Sequence, residues 1–192
     1  ISTLTGQQSV ETDAEMDAIR LAKIENWTNG TTRYGANTID INLADGSGDG
    51  IHFKTDAELA EVAARMWLAV KDAVYSGSYG RGPRVLSATY VDMAITVTMD
   101  QELATVTSYT ASAWIVKDDG TPVTVTSVEK VGDTQLVLTL PEARIGTLTL
   151  TFGSGDDAIV ASLPRALSVT LPATINGISS VSIPAEPFVD YA

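Results

Sequence analysis

The sequence predicts a short piece of α/β structure over residues 1–77, followed by an all-β sandwich over residues 85–171. Residues 78–84 read as a linker and 172–192 as an extended C-terminal segment. Three observations predict this. Two early stretches carry apolar residues at helical spacing, one strictly alternating run lies between them, and from Val85 onward Val- and Thr-rich runs alternate between Gly- and Asp-containing turns.

The first helix begins at Thr12-Asp13-Ala14-Glu15, a capping box in which the Thr hydroxyl accepts from an orphan amide and the Glu reaches back. Met16, Ile19, Ala22 and Lys23 follow at spacings of three and four, and Ala18, Leu21 and Ile24 widen the stripe. A second box stands at Thr55-Asp56-Ala57-Glu58, and behind it Leu59, Val62, Ala63, Met66, Ala69, Val70 and Ala73 recur at helical spacing. Gly77, Gly80, Gly82 and Pro83 then end the helix. Between the helices, Thr38-Ile39-Asp40-Ile41-Asn42-Leu43 places Ile39, Ile41 and Leu43 on one side of a strand. Helix, strand, loop and helix are only a fragment of an α/β domain, because one strand cannot make a sheet.

The later residues predict strands at Val85–Val91, Ala94–Met99, Ala113–Lys117, Val123–Lys130, Gln135–Leu140, Thr147–Phe152, Ile159–Leu163 and Ala166–Leu171. Their turns are Asp118-Asp119-Gly120, Val131-Gly132-Asp133 and Gly153-Ser154-Gly155-Asp156-Asp157. So many short strands in succession suggest a sandwich of immunoglobulin-like type, with Trp114 as a candidate for its core.

Composition narrows the functional classes. The chain has 192 residues, 12 basic and 24 acidic, for a formal net charge of −12. No basic surface is available to neutralise phosphates or anionic lipid, so neither nucleic acid nor a membrane is expected as a partner. With no cysteine, disulfides, thiolate metal sites and cysteine nucleophiles are excluded. No signal peptide is visible, and because the first residue is Ile1 rather than Met an upstream region is expected to be missing.

One stretch carries chemistry. His52 is the single histidine, in Asp45-Gly46-Ser47-Gly48-Asp49-Gly50-Ile51-His52 between the predicted strand and the second helix. Sites in open α/β sheets lie beyond the carboxyl ends of strands. Asp49, three residues earlier, can fold onto the imidazole Nδ1 and leave Nε2 as a general base toward a hydroxyl. His52 also reads as a loop histidine that caps the following helix or sits in solvent. The Asp45 and Asp49 pair also reads as a calcium loop, though the spacing of an EF-hand is missing. Trp27, Trp67 and Trp114 could stack on sugars, but core or interface packing is the default for such residues.

Strand, Asp49-Gly50-Ile51-His52 and a capped helix with Ala63-Ala64-Arg65-Met66-Trp67 resemble the last block of the SGNH/GDSL hydrolases. The nearest variant is the carbohydrate esterases that remove acetyl groups, including the sialate O-acetylesterase-like group. The resemblance covers roughly residues 10–75 and implies the last strand and helices of a flavodoxin-like domain. It implies that Asp49 and His52 are the catalytic Asp and His of a triad whose serine lies upstream. Phe53 stands where the family often has Pro, and no Gly-Asp-Ser block occurs in the chain. The expected partners are therefore a missing N-terminal hydrolase region bearing the serine, and an acetylated polysaccharide. No cofactor or metal is expected. The alternative is a structural or receptor-binding virion protein, such as a phage tail fibre or spike, with a partial esterase domain that contacts its own copies or other virion proteins. Either role implies an extracellular or virion location.

Overall fold

A computed structural model describes residues 13–30, 33, 35–36, 55–75, 82–103, 111–152, 168–175, 178–184 and 188–192. Two helices come first, α1 (Asp13–Thr28) and α2 (Asp56–Tyr75). At the end of α1 the Asn29 amide donates to the Glu25 carbonyl at 2.8 Å, and Gly30 follows at φ +72°, a left-handed stop that glycine adopts without steric cost. α2 starts on a closed capping box. The Glu58 amide donates to Thr55 Oγ1 at 3.2 Å, and the Thr55 amide donates to Glu58 Oε2 at 3.0 Å.

Ten strands follow: β1 (Val85–Val91), β2 (Ala94–Met99), β3 (Trp114–Asp118), β4 (Thr121–Val123), β5 (Ser127–Val131), β6 (Gln135–Thr139), β7 (Leu148–Phe152), β8 (Ser168–Ile175), β9 (Ile178–Pro184) and β10 (Phe188–Tyr191). They form one sheet in the order β1-β2-β6-β5, a second in the order β10-β7-β3-β4, and a hairpin of β8 and β9. Every pairing is antiparallel.

The two four-stranded sheets share one apolar core. β2 buries Ile95, Val97 and Met99 and leaves the intervening residues only partly covered, which is the period of two that a pleated strand imposes. Leu136 and Leu138 of β6 and Val128 of β5 join them, and Trp114, Val116, Val123, Leu150 and Phe152 come from the other sheet. The Trp114 and Phe152 rings lie 4.8 Å apart at 39°, so Trp114 is a core residue, as its place in a strand predicts.

An α/β fragment followed by a separate immunoglobulin-like sandwich is not what the chain forms. It is predominantly antiparallel β structure with two helices, and no parallel strand pair occurs among the described residues. The strand expected at Thr38–Leu43 lies outside those residues, as does the one expected at Ile159–Leu163. α2 packs against β8 and β9, an antiparallel hairpin from the far end of the chain. A two-stranded hairpin is marginal alone and needs a covering element, and Ile183 of β9 is fully buried. Of the strand expected at Ala166–Leu171 as part of the sandwich, the described residues from Ser168 onward belong to this hairpin through β8 instead. The segment 172–192 contributes the rest of the hairpin, and β10 returns to pair with β7.

Val123–Lys130, read as one strand, is two. β4 and β5 lie in different sheets, and Thr124–Thr126 carries the chain between them. Val123, Val125 and Val128 are all buried, so apolar periodicity runs across the crossing and conceals it.

Candidate functional site

The sequence places its candidate chemistry immediately before α2, and the structure describes this helix. His52, Asp49, Asp45 and the glycines between them lie outside the described residues. Three residues after His52 in the sequence, the Thr55–Glu58 box fixes where the helix begins.

α2 is apolar on two opposite sides. One side buries Ala64, Leu68 and Ala69, together with Arg65. At 100° per residue, Leu59, Met66, Val70 and Val74 fall on the reverse side with Trp67 beside them, and all five are exposed, Trp67 by 46% and Val74 by 63%. This corrects the stripe expected from spacing, which ran through Leu59, Val62, Ala63, Met66, Ala69, Val70 and Ala73. Of that set Ala69 is buried, while Ala64, Arg65 and Leu68 take the inner positions.

The charged pair sits on the inner side. The Arg65 side chain is fully covered, and its Nη2 donates to Glu61 Oε1 at 2.6 Å, one helical turn away, while Glu61 stays 22% exposed. A carboxylate at this spacing satisfies part of a buried guanidinium, which could not otherwise be held without a large desolvation cost. Sequence reasoning passed over Arg65 as one letter of the Ala63–Trp67 pattern. The signal that could have found it is Glu61 four residues before an arginine flanked by Ala64 and Leu68.

An open cleft of about 200 Å³ lies between β1 and β10, the strands at one edge of each sheet. Tyr90, Ile95, Leu148, Leu150 and Tyr191 make it mainly apolar. The Tyr90 hydroxyl accepts from the Arg144 amide, which holds the ring in place. Among the described residues no group of three or more His, Cys, Asp or Glu side chains comes together as a metal site. Of the predicted turn Asp118-Asp119-Gly120, Asp118 ends β3 and Asp119 and Gly120 make the reversal, with the Asp119 Oδ1 accepting from the Thr147 amide at 3.0 Å. No helix among the described residues is long and apolar enough to cross a membrane.

No protein-family model and no curated protein matches the chain. Among solved structures it is similar in fold to a carbohydrate acetylesterase from Xanthomonas citri, with a TM-score of 0.62 at 12% identity. The match covers 97% of this chain and 39% of that one, so the chain spans about two fifths of the enzyme's length. The N-terminal part of the bacterial S-layer protein SbsC is also similar over 88% of this chain and 58% of its own, at 13% identity, but its TM-score of 0.35 is too low to bear on the fold. The likeness to the acetylesterase establishes a shared fold with part of that enzyme.

Proposed function

We propose that the chain is the C-terminal part of a serine carbohydrate esterase of SGNH type, which removes O-acetyl groups from glycans once a region bearing the serine is joined to it. The observation that carries this reading is the fold likeness over nearly the whole chain to a longer carbohydrate acetylesterase. Asp49-Gly50-Ile51-His52 directly ahead of the capped helix supports it from the sequence side. The outward face of α2 supports it as well. Leu59, Met66, Val70 and Val74 form a continuous apolar strip that a surface helix does not ordinarily leave in water, and the serine-bearing region would cover it.

In this reading the serine Oγ attacks the acetyl carbonyl carbon while His52 Nε2 takes the hydroxyl proton. Asp49 accepts a hydrogen bond from Nδ1–H and stabilises the imidazolium that results. Backbone amides of the serine-bearing region hold the oxyanion. Collapse of the tetrahedral intermediate breaks the bond to the sugar oxygen, which receives the proton from His52. Water, deprotonated by the same imidazole, then attacks the acetyl-enzyme and releases acetate and the serine. The β structure after α2 acts as an accessory that presents the site to glycan.

The test is hydrolysis of p-nitrophenyl acetate by a polypeptide carrying this chain together with the serine-bearing region. His52→Ala should lower kcat by about a thousandfold or more. Unchanged turnover would remove the reading. The chain by itself should show no turnover above the uncatalysed rate.

A further inference from the structure

An unpaired strand edge is a template for another strand, and folded proteins ordinarily guard such edges with charge, proline, shortness or a bulge. The two four-stranded sheets have four edges between them: β1, β5, β10 and β4. β4 has three residues and carries Pro122, β5 carries Glu129 and Lys130, and β10 has four residues and carries Asp190. β1 has seven residues, Val85-Leu86-Ser87-Ala88-Thr89-Tyr90-Val91, with neither charge nor proline. Its one irregularity is the register shift between Val85 and Ser87, which leaves Ser87–Val91 in regular register against β2. No strand among the described residues pairs with its outer edge. Exposed apolar side chains gather here too, with Leu86 66%, Val91 67% and Met93 46% exposed.

We infer that β1 is a self-association edge, on which the β1 of a second copy pairs antiparallel about a two-fold axis at Thr89. Two properties of the strand favour a second copy over another occupant. The first is its neutrality. The chain carries a formal charge of −12, so two copies repel each other over most of their surfaces, and Ser87–Val91 is a contact free of like charge. The second is self-complementarity. Thr89 is the midpoint of the regular stretch, and a two-fold there sets Thr89 opposite Thr89, Ser87 opposite Val91, and Ala88 opposite Tyr90. Ala88 and Tyr90 share the inner side, as their partners Val97 and Ile95 show, so at both ends of the pair a small side chain meets a large one beside the apolar cleft. Thr–Thr pairs on the outer side are favourable across strands. Such an edge buries less than the ~800 Å² per partner of a stable interface. The dimer is therefore weak and depends on concentration.

Sedimentation velocity from micromolar to millimolar concentration tests this. The wild-type chain should shift toward twice its 20.2 kDa mass as concentration rises. Thr89→Lys, on an exposed side chain, sets two ammonium groups face to face at the axis and should abolish the shift. Thr124→Lys, also exposed but between β4 and β5, makes the same change in net charge and should leave it intact. A strict monomer throughout would overturn the inference. So would a dimer that survives Thr89→Lys, or one that both lysines weaken equally. A dimer lost with Val70→Glu and kept with Thr89→Lys would move the contact to α2 and overturn it as well.

Discussion

Thr55 and Glu58 each satisfy an amide that the first turn of α2 cannot pair internally. Thr55→Ala should therefore cost about 1 kcal/mol, read as a lowered urea midpoint at unchanged slope. This contact was legible in the sequence, because a capping box is a local pattern and its geometry follows from four consecutive residues. Arg65 was not legible in the same way. Nothing local says which side of an Ala-rich helix faces inward, and the hairpin against which α2 packs comes from residues more than a hundred positions later. Replacing Arg65 by Met keeps the packing volume and removes the charge that must be desolvated, whereas Glu61→Ala leaves the guanidinium buried without that carboxylate. Glu61→Ala should thus be the more destabilising of the two in matched urea titrations, by about 1–2 kcal/mol after allowance for the partial exposure of Glu61. His52 and Asp49 are legible only as a motif, and their case rests on sequence and chemistry.

Turn residues made several β elements readable. Asp118-Asp119-Gly120 predicts a reversal, and the chain turns there through Asp119 at φ +46° and Gly120 at φ +82°, the two left-handed residues of a tight hairpin between β3 and β4. Gly120→Ala meets no neighbouring atom but retains the strained φ, and should cost about 1 kcal/mol. Gly146 presents the opposite case. A methyl group there would lie on the Asp118 and Asp119 carboxylates, so Gly146→Ala must displace them and disturb the bond from Thr147 to Asp119. It should destabilise more than Gly120→Ala in the same denaturation assay. The limits of legibility show at Val123–Lys130. Val125 stays buried as the chain crosses from one sheet to the other, so the strand break leaves no mark in the hydrophobic pattern. The hairpin of β8 and β9 was visible only in its first half, through the run ending at Leu171, and for a different reason. Pro172 and Pro184 read as breakers, yet an isolated hairpin has free edges on which proline is tolerated.

At the scale of the molecule, the chain is one core between two antiparallel sheets, with α2 laid on a hairpin that interrupts the path from β7 to β10. Leu138, fully buried in the central strand β6, should cost about 2–5 kcal/mol when changed to Ala, whereas Val70→Ala on the exposed face of α2 should stay within about 0.5 kcal/mol. If the serine-bearing region covers α2, Val70→Ala becomes costly in its presence. Comparing the two unfolding midpoints, with and without that region, reads the difference. Strand order was beyond the sequence because it is set by pairings between distant segments, such as β2 with β6 and β7 with β10. The most direct test of the esterase reading is the rate at which a fluorophosphonate probe phosphonylates the serine in a polypeptide that joins this chain to the serine-bearing region. That reaction needs an imidazole to take the hydroxyl proton. The account expects fast labelling of the wild type and loss of it by about a thousandfold in His52→Ala with the fold intact. Equal labelling of both would contradict it.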